Sequence, residues 1–129
     1  MDLIKANPLI VIKKIYNRRF TMDSLEELTK EIKDFVDQRD WNQFHTPANL
    51  AKSISIEANE LLECFQWDEV NFNMENVKEE LADVINYCIQ MATVLNLDIK
   101  DIVLTKLKKN ALKYPVSKCK GKATKYDQL

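Results

Sequence analysis

Two carboxylate pairs stand out in this chain, Glu57-x-x-Glu60 and Glu80-x-x-Asp83, separated by the nineteen residues from Leu61 through Glu79. Residues three apart share a face of an α-helix, so each pair can aim two hard oxygen ligands at one point. Two such helices packed antiparallel would enclose four carboxylates. Charge of one sign is too costly to hold in a half-buried cleft without a cation. Oxygen-only ligands favour Mg²⁺ or Mn²⁺ over zinc, and an ion held this way commonly holds phosphate as well. The competing reading is a set of ordinary flanking charges.

The charge pattern allows both readings. From Glu57 to Asp83 there are nine acids and one base, Lys78, whereas from Lys106 onward there are eight lysines and one acid, Asp127. Opposite charge on separate segments suits a metal at one wall of a site and phosphates at the other. It equally suits a solvated acidic face and a basic tail.

These side chains need helices to carry them. The chain has 129 residues, one Gly and three Pro, too little punctuation for a sheet protein. No segment alternates as a strand, and length fits one domain. The first predicted helix runs from Asp23 or Ser24 to Arg39, with Leu25, Leu28, Ile32, Phe35 and Val36 at helical spacing. Thr46-Pro47 reads as N-cap and first turn of a second helix that reaches about Phe65. Asn73 caps a third helix ending near Leu95, and Asp98 caps a fourth that stops before Pro115. The stretch from Val116 is expected to be basic and extended. The result is an all-α, four-helix-bundle-like domain.

At roughly 100° per residue, Leu50, Ile54, Ala58, Leu61, Leu62 and Phe65 form one apolar stripe. Glu57 sits at its edge, with Glu60 just beyond. The third helix repeats the layout with Val77, Leu81, Val84, Cys88, Met91 and Leu95, where Glu80 is at the edge and Asp83 beyond. Purely solvating charge would lie opposite the stripe. These four lie where each helix turns from core to cleft.

Residues 1–21 differ from the rest, with five bases, one acid and Pro8 ahead of Leu9-Ile10-Val11-Ile12. The apolar run is short and no small-residue cleavage site follows, so it is a poor secretory signal. Either an upstream-read leader with Met22 as the natural start or a genuine arm fits, and the functional reading does not use it. The domain is expected over 22–115, with a basic tail over 116–129. Cys64, Cys88 and Cys119 are scattered and form no C-x-x-C pair, which fits a reducing cytoplasm better than a disulfide or zinc scaffold. No apolar run approaches the ~20 residues of a membrane span. A di-iron bundle would need Glu-x-x-His pairs, and the single histidine, His45, lies in a loop.

The residues resemble the all-α nucleoside triphosphate pyrophosphatases, the group of MazG-type enzymes and dimeric dUTPases. The pattern Glu57-Ala-Asn-Glu60-Leu-Leu-Glu63, then Glu79-Glu80-Leu-Ala-Asp83-Val, matches that group's E-x-x-E … E-x-x-D signature. Arg39-Asp40-Trp41-x-x-Phe44-His45-x-Pro47-x-Asn49-Leu50, Glu63-x-Phe65-Gln66-Trp67 and Lys106-x-x-x-Asn110-x-x-Lys113-Tyr114-Pro115 resemble the dCTP pyrophosphatase branch. The likeness covers roughly residues 23–115, and Lys125-Tyr126 extends it.

The resemblance implies a MazG-like, oligomeric fold and hydrolysis of a (d)NTP, dCTP-like, to the monophosphate and pyrophosphate. It implies a nucleotide-pool house-cleaning role, with no nucleic acid polymer and no membrane as partner. Glu57, Glu60, Glu80 and Asp83 become ligands of Mg²⁺ or Mn²⁺, and a first-layer carboxylate such as Glu57, or else Glu63, takes the proton. Trp41, His45 and Trp67 become the base side, Tyr87 the sugar or phosphate contact, and Lys106, Asn110 and Lys113 the phosphate side. An arginine is frequent in the family near Lys113, so a two-pronged phosphate contact is lost here. Stripes this wide in a domain of about 105 residues need more cover than four helices give, which together with the resemblance implies a homodimer or homotetramer. The non-enzymatic alternative is a helical interaction or regulatory module, which has no need of an acidic pair on each of two helices.

Overall fold

A computed structural model describes residues 23–129, and the leader-or-arm question over residues 1–21 lies outside the described residues. Those residues are helical, with no strand among them. They divide into two compact units, one ending at Gln43 and one beginning at Phe44.

In the first unit, α1 spans Ser24–Asp37. Asp23 starts it, its side chain accepting from the Leu25 amide at 3.1 Å, and Glu26 and Glu27 in the first turn favour the positive helix end. Lys30–Asp34 and Lys33–Asp37 pairs line the solvent side. The helix ends two residues earlier than its periodicity suggests, because Asp40 takes a left-handed φ of 52° that breaks the helical path. Trp41–Gln43 then forms a 3₁₀ turn. Trp41 meets the Phe35 ring edge-on at 5.8 Å, and the Arg39 guanidinium lies 3.6 Å over Phe35.

The second unit opens with α2, Pro47–Glu63, capped by Thr46, which accepts from the Asn49 amide at 3.2 Å. Residues 64–73 turn the chain back. Asp68 holds that turn by accepting from the amides of Val70 and Asn71, both at 2.8 Å, and Phe65 packs on Phe72 at 4.8 Å between centroids. Next comes α3, Met74–Val94, capped by Asn73. With so short a connection α2 and α3 pack antiparallel, and this is the main helix pair of the unit. Leu50, Ile89 and Ala92 are buried. Ile89 and Ala92 lie off the stripe that the wheel picked on α3, so this helix buries more than one side.

At the end of α3, Asn96 enters the left-handed region at φ 53°. The amides of Asn96 and Leu97 then donate to the Thr93 and Ala92 carbonyls at 3.1 and 2.8 Å, a Schellman closure. Asp98 caps α4, Ile99–Lys113. Ile102, Val103, Leu104, Leu107 and Leu112 on α4 are 41–85% exposed. The tail is not extended as expected: Val116–Cys119 forms a one-turn helix, α5, and Tyr126–Gln128 a 3₁₀ turn.

Candidate metal and phosphate site

Antiparallel packing of α2 on α3 brings the two acidic pairs to one level. Glu57 and Glu60 on α2 and Glu80 on α3 each offer a carboxylate oxygen, and the three oxygens lie within 4.8 Å of one another. Glu57 and Glu80 are half-buried and Glu60 is exposed. Asp83 stands outside this tight trio, yet its charge bears on both Glu57 and Glu80. No lysine or arginine among the described residues forms an ion pair with any of the four.

The electrostatics follow from that crowding. The Glu57 carboxyl titrates above its ordinary range, first because it is desolvated, then through its hydrogen bond with Glu60 and the charges of Glu60, Asp83 and Glu80. Glu80 is raised likewise, by desolvation first, then by its hydrogen bond with Glu60 and the charges of Glu60, Asp83 and Glu79. Glu60 is thus the hub between the other two. Glu57 Oε2 is buried with no hydrogen-bond partner, an expensive state for a carboxylate oxygen. A divalent cation bound by oxygen ligands answers both problems, so the donor set fits Mg²⁺ or Mn²⁺.

The other sequence-selected residues fall in several places. Tyr87 is half-buried one turn beyond Asp83 on α3, and Glu63 is exposed near the end of α2, outside the carboxylate trio. Lys106 and Lys113 are exposed on α4 with Asn110 half-buried between them. Trp41 is 42% and Trp67 90% exposed. His45 and Trp67 lie beyond opposite ends of α2, whose 17 residues make about 25 Å of helix. A contact that helical spacing does not predict also appears: Tyr126 returns from the tail to the Lys113 ammonium. The two are too far apart in sequence for helical periodicity to link them.

Comparison with known proteins points to one family. The sequence profile of the MazG-like family matches residues 52–129, which includes both acidic pairs. The chain is similar to the dCTP pyrophosphatase 1 of Mus musculus, at 33% identity over 82% of this chain and 68% of that protein. The Bos taurus protein of the same name is 35% identical over the same shares. Among solved structures, a pyrophosphatase from Archaeoglobus fulgidus is similar with a TM-score of 0.65 and 38% identity, covering 73% of this chain and 94% of that one.

Proposed function

The chain belongs to the MazG-like family, and on that premise we propose that it is a Mg²⁺-dependent nucleoside triphosphate pyrophosphohydrolase acting on dCTP-like nucleotides. The carrying observation is the meeting of Glu57, Glu60 and Glu80 oxygens within 4.8 Å around a buried, unpartnered Glu57 oxygen. In this reading the enzyme clears excess or non-standard deoxynucleotides from the cytoplasm.

Glu57, Glu60, Glu80 and Asp83 would hold the cation. Bound there, it would offset the charge that builds on the departing pyrophosphate. Glu57 Oε2 takes the proton of the attacking water. The water oxygen bonds to the α-phosphorus, the bridging α–β P–O bond breaks, and pyrophosphate leaves with the electron pair. Glu57 is favoured over Glu63 because Glu63 is exposed and outside the trio. Lys106, Asn110 and Lys113 hold the β and γ phosphates. Trp67 stacks on the base, a contact of about 1–3 kcal/mol, while His45 and Tyr87 face the base and sugar.

The distance between the ends of α2 supports reading this as a two-chain site, with Trp67 supplied by a second copy. The exposed apolar side chains of α4 give such a copy a surface to cover. Subunit complementation reads this out. Trp67→Ala and Asp83→Asn chains should each be poorly active, and mixing them after partial unfolding should restore turnover, because mixed dimers hold one intact site. No recovery on mixing would mean that each chain builds its own site.

The whole proposal is tested by incubating canonical and modified (d)NTPs with Mg²⁺ or Mn²⁺ and separating the products. Turnover of dCTP to dCMP and pyrophosphate is expected. Failure to hydrolyse or to bind any nucleotide would favour a helical interaction module instead.

A further inference from the structure

The C-terminal tail ends on the last residue of α4 in a way that the reaction scheme does not use. The Lys113 ammonium lies 4.8 Å from the centroid of the Tyr126 ring. Tyr126 is itself held by Tyr114, the rings meeting edge-on at 6.0 Å and 84°. Since Tyr114 directly follows Lys113, ring and ammonium are anchored on the same turn. The backbone is arranged for this return. Gly121 turns the chain at φ 75°, a conformation that favours glycine. The 3₁₀ turn at Tyr126 is closed by the Gln128 amide donating to the Lys125 carbonyl at 2.9 Å, and Lys125 pairs with Asp127 at 3.3 Å.

We propose that Tyr126 is a positioning residue, which holds the Lys113 ammonium ready for the substrate's terminal phosphates. This rests on the reading of Lys113 as a phosphate ligand. An exposed lysine samples many rotamers and loses that freedom when it binds. An aromatic face restricts the ammonium beforehand through its quadrupole and uses none of its three N–H donors, which stay available to phosphate oxygens. Lys106, two turns earlier on the same helix, has no ring against it among the described contacts. The clasp therefore selects one lysine. Its benefit is realised on binding, so it belongs in KM and not in kcat.

The test uses the full chain with dCTP and Mg²⁺, comparing Lys113→Ala, Tyr126→Ala, Tyr126→Phe and the Lys113→Ala/Tyr126→Ala double variant. Tyr126→Ala should raise KM about twofold to fivefold, the size of an exposed cation–π contact, with kcat unchanged. Tyr126→Phe, which keeps the ring, should behave as wild type. The double variant should match Lys113→Ala, since the ring acts only through that lysine. If Lys113→Ala raises KM while Tyr126→Ala leaves it unchanged, the clasp is wrong and the phosphate reading stands. If Lys113→Ala itself leaves KM unchanged in an active enzyme, the phosphate reading of Lys113 fails and the clasp with it. Additive effects in the double variant would also overturn the proposal.

Discussion

Glu60→Gln should lower kcat/KM for dCTP about 10³-fold while leaving the fold at least as stable in the absence of metal. The size follows from charge stabilisation of several kcal/mol by a bound cation, at 1.36 kcal/mol per tenfold in rate. The stability follows from the position of Glu60. It hydrogen bonds to both Glu57 and Glu80 and adds its charge to theirs. An amide of the same shape replaces a repelling carboxylate with a donor, so metal-free protein keeps its helical circular dichroism and a melting temperature no lower than wild type. Asp83→Asn should also abolish turnover, although Asp83 acts from outside the trio. Wild-type kcat/KM in both variants would remove the metal assignment.

Mg²⁺ should stabilise the folded chain, and Glu57 and Glu80 set how that effect depends on pH. Both titrate above the ordinary value of 4.5 in the folded chain. The folded state therefore binds more protons than the unfolded state between the unfolded and folded pKa values. The stability contributed by these two carboxyls in the metal-free protein is then fully present below the unfolded value and is lost as pH rises through the raised ones. As pH rises through these raised values the cluster gains like charge, and this is the condition in which a cation helps most. At about 100 times its Kd, Mg²⁺ should stabilise the fold by about 2.7 kcal/mol, a rise of roughly 8–16 °C in melting temperature for a chain of this size. The rise should shrink as the carboxylates protonate at lower pH, and it should be largely absent in Glu60→Gln. Chelation should remove all turnover. A melting temperature indifferent to Mg²⁺ at pH 7, with activity surviving chelator, would contradict the account.

The sequence was a good guide where the physics is local. Asp23, Thr46, Asn73 and Asp98 mark helix starts because a short polar side chain answers an amide only two or three residues away. The acidic pairs were legible for the same reason, since one helical turn fixes which side chains share a face. Convergence of Glu57, Glu60 and Glu80 needed only that two adjacent helices pack antiparallel. Burial was read less well. A wheel finds one stripe per helix, and on α3 it passed over Ile89, which is 2% exposed, because a helix packed on more than one side has no single apolar face. The tail reads from sequence as basic and extended, with Lys125-Tyr126 continuing the family likeness, and its turns are not legible there. Its order depends on a ring contact between Lys113 and Tyr126, twelve residues of intervening chain apart, and such a contact leaves no periodic trace.

The central claim is that this chain directs water to the α-phosphorus of a nucleoside triphosphate at the Glu57–Glu60–Glu80 cluster. Hydrolysis of dCTP in ¹⁸O-labelled water with Mg²⁺, followed by mass analysis of both products, tests it most directly. One labelled oxygen in dCMP and none in pyrophosphate are expected. Label in pyrophosphate, or release of dCDP and inorganic phosphate, would contradict it.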